Sequence, residues 1–238
     1  LKDNIIWIWV KEKLAVVIDP AESKPVKAWL EERQISLEAV LHTHHHSDHI
    51  GGTEGLLKHW PTAEVVAAKA DRHRIPYQTL SVCGGDQIFL LGHQLTVIEV
   101  PGHTKAHVAY YLPNMDKNRN ASALFCGDTL FGAGCGKLFE GTPEDMHLAL
   151  SRLNSLPGET KVYCAHEYTE SNLLWAASIR PDNKAIKDRL MEVREIRQKG
   201  LPTLPSTLSK ERLTNLFLQA ENSLELGVLR HQKDQWKG

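Results

Sequence analysis

The stretch THHHSDHIGG, residues 43–52, is separated only by His42 from the run LEAVL at 37–41. It sets four imidazoles and one carboxylate inside residues 44–49. The chain holds 13 histidines, and five of them (His42, His44, His45, His46 and His49) fall within eight positions. Ordinary packing has no use for that density. His44 and His46 are two apart, and at the end of an extended strand such side chains share a side. Asp48 and His49 add an oxygen and a nitrogen, so the donors are those that zinc, manganese and iron accept. Gly51 and Gly52 let the backbone turn away while the donors stay at the strand's end. His45, at the intervening position, is expected to point away from the metal side, and His42 is likewise left out of the ligand set.

Three further segments each end a strand on a potential ligand: PGHT at 101–104, FCGDT at 125–129 and CAHE at 164–167. Taken singly, a histidine after a strand reads as a hydrogen-bonded structural residue. Taken with the first motif they add His103, Asp128 and His166, giving five histidines and two aspartates, a number suited to two ions. The expected arrangement is His44, His46 and His103 on one ion and Asp48, His49 and His166 on the other, with Asp128 bridging.

Around these motifs the first two-thirds of the chain alternate strand and helix signals. Runs at 5–10 and 14–19 read as a hairpin across Lys11-Glu12-Lys13. A helix is expected over 23–34, strands at 37–41 and 63–68 with a helix over 54–60 between them, and a hairpin from 87–91 and 94–100. Strands at 107–112, 123–126 and 161–164 complete the set, with a helix over 144–156 led by Pro143. After Thr169 strands are expected to stop, and helices are read at 171–179, 183–199, 210–218 and 221–230. The expected division is therefore an α/β domain over 1–169 and a smaller helical domain over 170–238.

Composition narrows the function classes. The 238 residues suffice for one large domain or one domain with an appendage. No apolar run approaches the roughly 20 residues of a membrane span. Lys plus Arg number 28 against 29 for Asp plus Glu, so no basic excess argues for nucleic acid. Cys83, Cys126, Cys135 and Cys164 form no C-x-x-C pair and read as free thiols of a reducing, cytoplasmic setting. No signal-peptide pattern is read at the start. The chain opens without Met, inside a reading of strand, so a few upstream residues are expected.

The motifs resemble those of the glyoxalase II (hydroxyacylglutathione hydrolase) family of the metallo-β-lactamase superfamily. The resemblance rests on THHHSDHIGG, GHT at 102–104, GDTLF at 127–131, GCGKLFEGT at 134–142, VYCAHEYT at 162–169, PSTL at 205–208 and RHQKDQWK at 230–237, and it runs along essentially the whole chain. It implies an αββα sandwich with a helical C-terminal domain. It also implies hydrolysis of S-(2-hydroxyacyl)glutathione, such as S-D-lactoylglutathione, to glutathione and a 2-hydroxy acid, the second step of methylglyoxal detoxification. The attacking hydroxide would be held between two divalent ions, zinc first, with iron or manganese open. Asp48 and Asp128 would serve catalysis as well as ligation, and Lys137, Tyr168, Arg230 and Lys233 would contact the glutathione part. A monomer is expected.

The chain departs from the family pattern at Phe139, where a Tyr is usual, at Leu216 and Gln219 in the N-P-F-x-R segment, and at Ile5 in the opening D-N-Y. Phe139 cannot donate the hydroxyl hydrogen bond. The departures bear on substrate affinity and leave the metal donors untouched. Three rival readings fit less well. A mononuclear iron persulfide dioxygenase would leave the second donor set without a purpose. A nuclease lacks its basic tract, and a non-catalytic glutathione-binding or metal-sensing module has no need of a bridged pair.

Overall fold

The computed structural model describes residues 2–114 and 122–237. Strand β1 (Trp7–Lys11) pairs antiparallel with β2 (Leu14–Ile18). Strands β3 (Ser36–Leu41), β4 (Glu64–Ala68) and β5 (Leu80–Val82) continue in parallel to give a sheet ordered β1-β2-β3-β4-β5. Helices α1 (Ser23–Glu32), α2 (Ser47–Ile50) and α3 (Thr53–Leu57) fill the crossovers. Along β2 the side chains divide by strand parity. Ala15 and Val17 pack outward with Val26, Leu30 and Leu56, while Val16 and Ile18 pack inward.

The second sheet starts with β6 (Gln87–Leu90), β7 (His93–Glu99), β8 (Val108–Leu112) and β9 (Ala123–Gly127). A short ribbon of β10 (Leu130–Phe131) and β11 (Gly134–Cys135) precedes α4 (Pro143–Asn154), which starts in a capping box between Thr142 and Asp145. Strand β12 (Lys161–Cys164) lies parallel to β9. The two sheets bury Leu41 and Val66 against Ile88, Leu95, Val97, Tyr110 and Phe125. On the outer face, Leu124, Cys126, Val162 and Cys164 meet Met146 and Leu150 of α4. The layers therefore run helix, sheet, sheet, helix, as in the metallo-β-lactamase fold.

The C-terminal part adds α5 (Thr169–Ile179), α6 (Lys184–Gln198), β13 (Ser206–Thr207), α7 (Leu208–Thr214), α8 (Leu216–Gln219) and α9 (Ser223–Gln235). Trp175, Phe217 and Leu226 from these helices join the same outer core as α4. Two expectations are corrected here. Strands do not stop at Thr169, because Ser206 and Thr207 pair with Val162 and Lys161 at the edge of the second sheet. Two residues carry no periodicity to read. The helix expected over 210–218 is two, because the Asn215 side chain accepts from the N–H groups of Phe217 and Leu218 and starts α8 afresh. Strand β5 and the β10–β11 ribbon are too short to leave a periodic signal in the sequence. No helix among the described residues is long and apolar enough to cross a membrane.

Candidate metal centre

The donors gather where strand ends from both sheets meet. His44–His49 follow β3, His103 lies beyond β7, Asp128 follows β9, and His166 follows β12. His44 and His46 do not stand at the end of an extended strand, as strand parity expects: β3 ends at Leu41, and a bend carries the histidines on to His46, which is the N-cap residue of α2. The bend still brings them together. His44 Nε2 is 3.0 Å from His46 Nδ1, and His103 Nε2 is 3.1 Å from the same atom.

The second group converges as closely. His166 Nε2 lies 3.4 Å from His49 Nε2 and 3.6 Å from Asp48 Oδ2, and His49 Nε2 lies 3.7 Å from Asp48 Oδ2. Asp128 faces both groups, with Oδ2 at 3.5 Å from His103 Nε2 and 3.4 Å from His166 Nε2, and Oδ1 at 3.6 Å from His49 Nε2. Nitrogen ligands at the usual zinc distance sit about 3.4 Å apart around a tetrahedral ion. The observed spacings bracket that value. Asp128 Oδ1 is also buried without a hydrogen-bond partner, a costly state that a cation would relieve. The residues present thus fit two metal ions.

Hydrogen bonds fix which nitrogen each ring presents. Asp19, after β2, accepts from the Thr43 N–H at 2.8 Å, the Thr43 hydroxyl at 2.7 Å and His49 Nδ1–H at 3.1 Å. Thr43 Oγ1 in turn accepts from His44 Nδ1–H at 3.1 Å. The Lys137 carbonyl accepts from His103 Nδ1–H at 2.8 Å. Nε2 of His44, His49 and His103 is left facing the centre, the arrangement expected of metal-ligating imidazoles. His107 stacks on His44 at 4.7 Å, and its Nε2 accepts the Asp128 N–H at 3.1 Å. Sequence reasoning missed Asp19 and His107. The signal for Asp19 was an acid closing the apolar run of β2.

Electrostatics divide the centre. Burial, reinforced by neighbouring imidazoles, holds His44 well below its ordinary pKa and lowers His46 and His103, so these rings keep their lone pairs. Burial also opposes charge on His49, but Asp19, Asp128 and Asp48 outweigh it and raise that group to about 9. Asp128 is held below the usual carboxylate range: burial resists this, and the His166 hydrogen bond with the His49 and His166 charges prevails. Three carboxylates thus crowd His49, where a cation is favoured.

His42 and His45 stand outside the donor groups. His42 Nε2 accepts from the Thr53 hydroxyl at 2.9 Å, and His45 Nδ1 lies 3.2 Å from Asp71 Oδ2 in a cluster with Arg74 and Glu140. Gly127 is required by geometry. Its φ is +49°, and a Cβ there would lie 2.7 Å from Thr43 Cβ and 2.9 Å from His107 Cε1, besides overlapping Thr43 Oγ1. Gly127→Ala is expected to cost about 1–3 kcal/mol in backbone strain alone and to displace Thr43 from Asp19. Thermal unfolding and metal content measured together check this, and parent values in both would contradict it.

A cleft of about 490 Å³ runs from His46, Asp48, His103, Asp128 and His166 past Phe131, Cys135 and Tyr168 to Arg230 and Lys233 on α9. Lys137 and Phe139 also line it, with the Phe139 ring edge-on to His46 at 5.5 Å and to His103 at 5.2 Å. Arg230 is buried and already engaged: it donates to the Cys135 carbonyl at 2.9 Å and pairs with Asp234 at 2.9 Å. Lys233 donates to the Ser171 carbonyl at 3.1 Å and sits over the Trp236 ring at 4.3 Å. Tyr168 stacks flat on His166 at 4.9 Å.

Comparison with known proteins divides the chain near His166. The Metallo-beta-lactamase superfamily description matches residues 3–166, and Hydroxyacylglutathione hydrolase C-terminus matches residues 167–236. A hydroxyacylglutathione hydrolase of Prochlorococcus marinus (strain MIT 9303) is 60% identical over 237 residues, covering 100% of this chain and 91% of that protein. The corresponding protein of Synechococcus sp. (strain CC9605) is 56% identical, covering 100% and 95%. Among solved structures, ETHE1 from Myxococcus xanthus superposes with a TM-score of 0.68 over 98% of this chain and 88% of its own, at 22% identity, a likeness of fold. TTHA1623, solved in a di-iron-bound form, is 28% identical with a TM-score of 0.55, covering 69% and 87%.

Proposed function

The chain belongs to the hydroxyacylglutathione hydrolase family of the metallo-β-lactamase superfamily, and from that premise we propose that it hydrolyses S-(2-hydroxyacyl)glutathione, typically S-D-lactoylglutathione, at a two-metal centre, with zinc the foremost candidate. The protein is a hydrolase. The observation that carries the two-metal reading is the Asp128 carboxylate, which faces both donor groups at 3.4 to 3.6 Å. Two divalent ions at such a centre supply water acidic enough to attack at neutral pH and an electrophile for the thioester carbonyl.

The chain's own residues supply the rest. His44, His46 and His103 would hold one ion, Asp48, His49 and His166 the other, and Asp128 both. Asp19 and Thr43 fix the tautomers of His44 and His49. Asp48, partly exposed at the cleft, is placed to accept a hydrogen bond from the attacking hydroxide and so orient it. The departing glutathione thiolate has an ordinary pKa near 8.5, about that of any cysteine, and leaves without a dedicated acid. Lys137, Tyr168, Arg230 and Lys233 would receive the glutathione part at the far end of the cleft. All of these groups come from one chain, so a monomer would suffice for the site. The four free cysteines agree with a cytoplasmic setting.

Lys233 tests the substrate end. Burial, with Arg230 beside it, lowers its pKa to about 8. Below that pH the amine is charged and can pair with a substrate carboxylate; above it the charge is lost. The kcat/KM profile, which reports the free enzyme, is therefore expected to fall as pH rises through about 8, with kcat unaffected by this group. Lys233→Met removes that limb and raises KM roughly tenfold, equivalent to about 1.4 kcal/mol. A thioester without the glutathione carboxylates should be hydrolysed alike by both proteins. Loss of kcat with KM unchanged would mean that Lys233 acts elsewhere than in binding.

A further inference from the structure

Two residues near the start of the chain touch the centre and belong to neither donor group. Asn4 forms an antiparallel bridge with His166, fixed by the Ile5 N–H donating to the Ala165 carbonyl at 2.7 Å and the Glu167 N–H donating to the Asp3 carbonyl at 2.9 Å. From that position Asn4 Nδ2 donates both to the Asp48 carbonyl and to Asp48 Oδ2, each at 3.1 Å. Asp3 Oδ1 lies 3.6 Å from His166 Nδ1, an atom buried with no hydrogen-bond partner. The Tyr168 ring lies flat against His166, with ring centroids 4.9 Å apart. Every one of these contacts bears on Asp48 or His166, and none on His44, His46 or His103.

We propose that Asp3 and Asn4 are positioning residues for one of the two ions, the one assigned to Asp48, His49 and His166, and that they leave its neighbour unaffected. The inference rests on the two-metal reading above. Asp48 is the partly exposed donor of that group, its side chain 36% accessible. Its carboxylate would otherwise turn toward solvent. The Asn4 amide occupies one lone pair of Oδ2 and the backbone carbonyl beside it, which holds the side chain toward His49. Asp3 favours the Nδ1–H tautomer of His166, so that Nε2 keeps its lone pair for the ion. Partners of ligands contribute about ten- to a hundredfold in metal affinity when they orient a ligand in this way.

The test uses zinc-loaded parent, Asn4→Leu and Asp3→Ala, each dialysed against EDTA at the highest concentration that leaves the parent fully loaded. Zinc per chain is then counted, with circular dichroism to check the fold. The expected result is two zinc ions in the parent and one in each variant. Two ions in both variants, or none in either, overturns the inference while the two-metal reading stands. A parent that never holds more than one ion overturns both. Because Asp3 is partly exposed, its variant keeps the test decisive should Asn4→Leu disturb the chain locally.

Discussion

Asp128→Ala is expected to strip both ions from the protein and to lower kcat/KM for S-D-lactoylglutathione by a factor on the order of 10³ or more. The reason is position. Asp128 is buried, it faces His103 on one side and His49 and His166 on the other, and one of its oxygens has no hydrogen-bond partner to lose. A ligand to a single ion would be expected to release that ion alone; a shared one loosens both. Metal analysis of the purified variant decides the matter. One ion retained at parent affinity would remove Asp128 from the bridging role, and two retained with full turnover would end the two-metal reading.

The second large effect is on folding. Glu211 is fully buried on α7 and pairs with buried Arg189 of α6 at 2.5 Å, while its other oxygen accepts the Ala133 N–H at 2.7 Å. Asn215 extends the network by donating to the Phe131 and Gly134 carbonyls. The C-terminal helices are thereby tied to the β10–β11 ribbon beside the cleft. Glu211→Leu leaves the Arg189 charge buried with only the Thr214 and Ser206 hydroxyls as partners. Breaking one side of a buried pair costs about 3 kcal/mol or more, or about 6–12 °C in melting temperature at this chain length. The double variant Arg189→Met with Glu211→Leu should recover much of that, since it removes the orphaned charge. A melting temperature in Glu211→Leu equal to the parent's would show that the pair contributes nothing to stability.

Local signals carried most of what the sequence revealed. The β1–β2 hairpin was legible from two β-branched runs separated by three charged residues, and β3 from the run that enters the histidines. Helix α4 was legible from Pro143 and the spacing after it. The donor set was legible because each member follows a strand, a pattern that needs no knowledge of which strands meet. Asp19 and His107 were not legible in that way. Asp19 acquires its role only when parallel pairing sets β2 beside β3 and brings the acid to the Thr43 N–H. His107 acquires its role only when the second sheet folds back to place it under Asp128. Arg230 illustrates the opposite limit. Its pairing with Asp234 is an i,i+4 contact along α9, but its bond to the Cys135 carbonyl depends on the β10–β11 ribbon, which leaves no periodic trace. The strand at Ser206–Thr207 was hidden for the same reason.

We propose that this glutathione-thioester hydrolase needs two ions in the His44–His166 donor set. Its most direct test is the initial rate of S-D-lactoylglutathione hydrolysis as zinc is returned stepwise to metal-free protein. The expected result is negligible turnover without metal and a rate that reaches its plateau at two equivalents per chain. A full rate in the metal-free protein, or no hydrolysis with both equivalents bound, would contradict the account.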